Sequence, residues 1–404
     1  MPVLRASPSR AAALLVGMAS LGLLGLGLPD GMLGVAWPSM SGSFGVPISS
    51  LGLLLATVTA GYVSVSMGSG RVLRAVSPGA LLAAGAAVMG TGLLGLAFAP
   101  AWWTALACAL AWGAGAGGID AGLNTYAAIR FSARSTNWMH GFYGVGAATG
   151  PAIMTGILVV GGRWQWGFFS VAAALMALAA WFALSRPRWR LGRSGHASGS
   201  GNTSPESVTP ERTSATLRLP AVWLGVAAFV LYTGLEMTAG QWTFTLLTEG
   251  RGVSTGPAGT WVSVYYVGLT GGRLGLGMLT GVIPAPRLLR LCMAAAVLGA
   301  GLFWLDITLW LSVAGIALLG LAFGPIFPSL IATTRPRIGE AHTPNAVGFQ
   351  IAAASLGAAA GPGVVGVLAS AAGLEMISLS LLAGAAGLLA LYEALEWSGR
   401  RGAS

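Results

Sequence analysis

Apolar runs of twenty or more residues follow one another along the whole chain, separated by short breaks that hold Arg, Gly and Pro. About 20 helical residues cross the roughly 30 Å hydrocarbon core of a bilayer, so each run reads as a transmembrane helix. Taking every run up to its breakers predicts twelve helices. The first six lie at roughly 11–37, 49–70, 76–99, 102–128, 137–161 and 166–185; the second six lie at roughly 220–247, 257–281, 287–306, 308–334, 343–369 and 373–397. The expected class is an all-α membrane protein. One long polar interruption, 186–219, opens "SRPRWRLGR" and continues in Ser, Gly, Thr and Pro. It is expected to be a flexible linker whose basic start lies against anionic headgroups. It divides the chain into an N-terminal bundle, 1–185, and a C-terminal bundle, 220–404.

Composition agrees. Of 404 residues, 55% are hydrophobic and 8% charged, with a mean hydropathy of +0.77, whereas soluble domains carry about a quarter charged residues. The net charge of +10 comes from 21 arginines with no lysine. These fall in short loops between apolar runs, so nucleic acid is not an expected partner; the lipid bilayer is. Eighteen arginines lie on one side: at both termini and in the breaks after helices 2, 4, 6, 8 and 10. Arg163 and Arg251 lie on the other side, and Arg273 lies within helix 8. The positive-inside rule then places both termini in the cytoplasm of a multi-pass cell-membrane protein. Trp37, Trp102, Trp103, Trp164, Trp166, Trp261, Trp304 and Trp310 are expected to form a belt at the outer ends. Arg5 and Arg10 precede an apolar run with no early small-x-small site, which reads as an uncleaved first helix. Cys108 and Cys292 sit inside apolar runs and suggest neither a disulfide framework nor a metal site.

The halves match weakly. "GVGAATGPAIMTGIL" in helix 5 aligns with "SLGAAAGPGVVGVLA" in helix 11 at an offset of 211, so Gly146, Gly150 and Pro151 correspond to Gly357, Gly361 and Pro362. "RVLR" after helix 2 and "RLLR" after helix 8 also correspond. Parallel six-helix repeats with a substrate site between them are a known transporter plan, and small residues four apart let helices approach closely.

Several stretches carry a further likeness: "LPDGMLGVAWPSM", "GGIDAGLNTYAAI", "MHGFYGVGAATGP", "YTGLEMTAGQWTF", "GLTGGRLGLGML", "GPIFPSL" and "NAVGFQIAAASLGAAAGP". On these the chain resembles the major facilitator superfamily over essentially its full length, and within it the fucose–proton symporter branch. The resemblance implies the major facilitator fold, two pseudo-symmetric six-helix bundles. It also implies that acids in helices 1 and 4, here Asp30 and Asp120, serve proton coupling and sugar binding. There are departures. The loop after helix 2, "GSGRVLRAVSPGALL", keeps Arg71 and Arg74 but lacks the usual Asp, and Met154 and Thr155 stand where the antiporter signature of helix 5 has glycines.

Three carboxylates fall well inside apolar segments: Asp30, Asp120 and Glu236. An ionisable group there costs a few kcal/mol to insert and usually faces a cavity. All three are candidates for proton coupling. Asp120 lies about 15 Å along the helix from Arg130, near the midplane, with Asn124 one turn on and on the same face. Acid plus amide suits a hydroxyl-rich ligand; the plainer reading is a protonated Asp bonded to a neighbouring helix. "LPDG" would form a turn in a soluble chain, but the apolar run continues to Trp37 and favours a long, broken helix with Asp30 facing the cavity. Glu236 is followed by Gln241 and Trp242, which together could hold a sugar; equally, Glu236 could pair with Arg273 as a structural bridge. Arg273 by itself reads as snorkelling or packing. Asn345 and Gln350 in helix 11 form either a binding face or a helix–helix hydrogen bond. His140, near the cytoplasmic end, is not expected to relay protons.

Together these readings describe a monomeric secondary transporter that moves a sugar or similar small polar solute by proton symport and alternating access. No cofactor is implied; protons are the expected coupling ion. Enzyme chemistry finds no Ser–His–acid or metal cluster, and no Gly-Lys-Ser/Thr phosphate loop occurs. The competing readings are proton-driven efflux of hydrophobic compounds and a non-transporting membrane sensor; Asn124, Gln241 and Gln350 tilt against the first, and the lack of an appended soluble domain against the second.

Overall fold

The computed structural model describes residues 10–189, 211–275 and 283–401. The predicted helices appear as α1 (Arg10–Phe44), α2 (Leu51–Ala75), α3 (Pro78–Ala97), α4 (Trp102–Arg130), α5 (Ala133–Val159) and α6 (Gln165–Leu184). After the linker come α7 (Pro220–Thr245), α8 (Thr255–Gly275), α9 (Ala285–Leu305), α10 (Leu309–Phe323, resumed as Ile326–Ala332), α11 (Thr343–Ala372) and α12 (Met376–Arg401). No strand occurs among the described residues. Eleven of these helices are long and apolar enough to cross a membrane. The remaining one is α8; the sequence predicts that it runs to 281, and its last residues lie outside the described ones.

Local chemistry sets several ends. Ser77 caps α3, its Oγ accepting from the Ala80 N–H at 3.3 Å, with Pro78 as the first helical residue. Thr308 does the same for α10 through the Leu311 N–H. Gly324–Pro325 interrupts α10, because proline lacks the N–H that the ladder needs. Helix α1, by contrast, is continuous through Pro29, so the expected break at "LPDG" does not occur and Asp30 is a helical residue.

The chain divides into two compact units. The first takes residues up to Asp30, Thr57–Gly150 and the stretch from Gly162; the second takes Gly31–Ala56, Pro151–Gly161 and the second half. The units thus differ from a simple 1–185 and 220–404 division, since parts of α1, α2 and α5 group with the second half. Within each unit the same helix pairs recur: α3 packs on α4 and α6, as α9 packs on α10 and α12. The aligned glycines do the same job. A Cβ on Gly146 would strike the Leu24 carbonyl of α1, and one on Gly357 would strike the Val230 carbonyl of α7. Such backbone contact is the packing that small residues permit between membrane helices.

The tryptophans do not all form a belt. Trp103, Trp166, Trp304 and Trp310 are exposed, but Trp37, Trp164 and Trp261 are buried; Trp37 donates its indole N–H to the Ile48 carbonyl at 2.8 Å. Nor is the linker's start a bare tether. Arg186–Trp189 forms a 3₁₀ turn that seats Trp189, fully buried, against Tyr126 and Phe182. At the linker's other end the Glu211 N–H bonds to the Ala341 carbonyl at 3.0 Å.

Candidate substrate and proton site

Glycine contacts place the acids of the first unit. Gly27 of α1 lies against the Tyr143 carbonyl, and a side chain there would collide with it. Asp30, one turn on, consequently meets Tyr143, whose hydroxyl donates to Oδ2 at 2.9 Å. Gly117 of α4 lies on the Tyr62 carbonyl of α2 in the same manner. One turn on, Asp120 accepts from the Tyr62 hydroxyl at 2.6 Å through Oδ2 and from the Asn124 amide at 2.9 Å through Oδ1. Asp120 and Asn124 are part-buried, and no cation among the described residues lies within ion-pair reach of Asp120. The arrangement is two carboxylates, each held by a tyrosine from another helix, plus one amide. It can accept hydrogen bonds, give up a donor to an incoming hydroxyl, and take a proton.

The second unit treats its acid differently. Glu236 Oε1 accepts from Arg273 Nη2 of α8 at 2.5 Å. The Tyr232 hydroxyl donates to Oε2 and sits 2.9 Å from the Phe323 carbonyl, while the Tyr265 hydroxyl donates to the Glu236 backbone carbonyl at 2.7 Å. Of the two readings of Glu236, the geometry matches the bridge to Arg273.

The other expected binding residues are built into packing. Trp242 is fully buried, its N–H on the Pro362 carbonyl at 2.9 Å, and Gln241 is enclosed where Gly34 crosses its backbone. Neither offers an open face to a solute in this conformation. Asn345 donates to the Glu211 carbonyl at 2.8 Å and to Thr216 Oγ1 at 3.2 Å, so it fastens the end of the linker. Gln350, also buried, accepts from Thr334 Oγ1 at 3.0 Å, which is the helix–helix hydrogen bond. It borders a void of about 10 Å³ with Thr334 and Arg337, which is room for one water. Cys108 and Cys292 are free thiols, and His140 is exposed.

Sequence reasoning missed Tyr62 and Tyr143, although each is a polar tip inside an apolar helix in a chain with seven tyrosines. It also missed Arg251, which ties three loops together. Its guanidinium grips Glu375 at 2.8 Å through both Nε and Nη2, lies 3.3 Å from Asp306, and stacks 4.7 Å from the centre of the Phe303 ring. That guanidinium holds the Glu375 carboxyl below its ordinary range.

A protein of Saccharomyces cerevisiae, "Bypass of stop codon protein 6", is 25% identical over 405 residues, spanning 92% of this chain and 79% of that protein. The crystal structure of the nucleoside transporter NupG superposes with a TM-score of 0.77 at 15% identity, covering 95% of this chain and 98% of the other. That of FucP in the outward conformation gives 0.60 at 14%, covering 96% and 99%. At such identities these likenesses establish the fold. The model of the Major Facilitator Superfamily matches residues 19–362, and the chain belongs to that superfamily.

Proposed function

We propose that the protein is a proton-coupled symporter of a sugar or similar small polar solute, working by alternating access. The observation that carries this reading is how Asp120 is held, between the Tyr62 hydroxyl and the Asn124 amide and with no cation in reach among the described residues. Hydroxyl and amide donors are the kind a solute hydroxyl can replace one for one. A charge left inside an apolar bundle costs a few kcal/mol, so the carboxylate is best carried through the dry stage of a transport cycle with a proton on it. In the cycle we propose, proton and solute enter together, the solute displacing a donor from Asp120. The neutral, loaded form then exchanges access, and water on the far side favours the ion again and releases both. Asp30, held by Tyr143, supplies a second protonatable group. A D-xylose–proton symporter, whose structure superposes with a TM-score of 0.71, and the nucleoside transporter fit a hydroxyl-bearing solute.

The test is uptake into proteoliposomes over a panel of sugars and nucleosides, with internal pH followed by a dye. Solute-driven proton entry that vanishes in Asp120→Asn supports the proposal. Wild-type protein that moves no proton with any solute, or a variant that keeps full proton movement, would overturn it.

A further inference from the structure

The arginine-rich ends of the two halves are neutralised in different ways. Up to residue 205 the sequence has only two acids, Asp30 and Asp120, both within helices, yet ten arginines lie at the arginine-rich end. Beyond that point eight arginines at the same end face five glutamates: Glu206, Glu211, Glu340, Glu393 and Glu396. The structure follows the imbalance in part: of the described arginines at that end in the second half, three are paired, while Arg212, Arg218 and Arg287 have no carboxylate within 4.0 Å among the described residues. Arg290, Arg335 and Arg337 pair with Glu393, Glu340 and Glu396 at 2.6–2.7 Å. Arg130, Arg186 and Arg188 are exposed and have no carboxylate within 4.0 Å among the described residues.

These three are fixed near one another. Trp189, buried against Tyr126 and Phe182, bonds through its indole N–H to Ser185 Oγ at 3.2 Å and thereby fixes the turn that carries Arg186 and Arg188. The Tyr126 hydroxyl donates to the Arg188 carbonyl at 3.3 Å, and Arg130 lies one turn beyond Tyr126 on the same face of α4. Beside Arg130 and Arg186 along the chain, and on the helix side of each, Ile129 and Leu184 are exposed, the latter at 85%. Guanidinium groups suit phosphate oxygens, and exposed aliphatic side chains beside them suit acyl chains.

We infer that this corner of the first unit is a binding site for anionic phospholipid headgroups, formed by Arg130, Arg186 and Arg188. The occupant is a lipid and not a free anion, because exposed cations and exposed aliphatic side chains are offered side by side. Native mass spectrometry of the full chain, exchanged with phosphatidylglycerol or phosphatidylcholine, tests it. Wild-type protein should retain phosphatidylglycerol in preference to phosphatidylcholine, by about fivefold for each arginine engaged. Replacing all three arginines with glutamine should remove at least about tenfold of that preference. The triple lysine variant should keep most of it, which separates lost charge from lost folding, and Arg335→Gln should leave it unchanged. Equal retention by wild type and the triple glutamine variant would overturn the site. So would equal loss in Arg335→Gln, or displacement of the lipid by millimolar inorganic phosphate.

Discussion

Asp120 and Glu236 both sit in long apolar helices, each with a tyrosine at hydrogen-bonding distance, yet among the described residues only Glu236 is bound to a cation. Glu236 shares its charge with Arg273, and the pair is closed by Tyr232 and by Tyr265 on the adjacent backbone. Asp120 has a hydroxyl and an amide instead. A carboxylate paired with guanidinium is held in place, because removing either partner leaves a stranded charge. A carboxylate held by neutral donors can exchange them and can be protonated without orphaning a cation. In the proposed cycle it is the partner, and not the depth of the acid, that separates a strut from a working group.

That contrast can be taken apart in steps. The largest effect is expected from Asp120→Asn: solute accumulation driven by a pH gradient should fall to background, read as radiolabelled uptake into proteoliposomes, with the protein still folded. Next come Glu236→Gln and Arg273→Met. Each alone should destabilise by about 1–2 kcal/mol in detergent melts, since each strands the other charge and the Arg273 side chain is 36% exposed, while the double variant recovers most of the loss. A double variant as unstable as the singles together would show that the pair is not a unit. Tyr62→Phe removes one hydrogen bond from Asp120. That hydroxyl competes with the solute for the carboxylate, so its loss should raise apparent solute affinity by roughly tenfold, as about 1.5 kcal/mol implies, and shift the pH profile of uptake; an unchanged profile would argue that Tyr62 only packs.

The smallest effect concerns the exposed counterpart of the Glu236 bridge, Arg251–Glu375. Arg251 depresses the Glu375 carboxyl below its usual value of 4.5. A depressed acid stabilises the fold above its ordinary range and ceases to do so as pH falls through the folded value, so the contribution disappears on acidification below about 4.5. The Glu375 side chain is 54% exposed, so water and salt limit the contribution to under about 1 kcal/mol. Glu375→Gln should lower the melting temperature slightly at pH 7, and by progressively less as the pH is taken below 4.5.

The helices were legible because an apolar run long enough to span a bilayer would be insoluble in almost any setting but a membrane. Their faces were not. Lipid tails and protein interior are equally apolar, so the pattern around Trp242 or Trp261 does not say whether the indole meets solute, lipid or another helix. Asp120 with Asn124 could be read from spacing along one helix, and Glu236 with Arg273 could at least be posed as a pair. Tyr62 and Tyr143 reach their acids only because Gly117 and Gly27 bring the backbones together, a three-dimensional fact with no local signature. The contacts of Asn345 and Trp189 were illegible for a related reason: the stretch around the linker looks polar and loose, but its two ends are fastened to folded helices.

The division between the two units cuts across helices as well as between them. It passes through α1 at Asp30, α2 at Ala56 and α5 at Gly150, the first and last next to Pro29 and Pro151. Neither proline can donate to the carbonyl four residues before it, so both rods already lack the rung that flexing would have to snap. Each can yield at that joint with little added strain, and in α1 the joint adjoins the very carboxylate that Tyr143 holds.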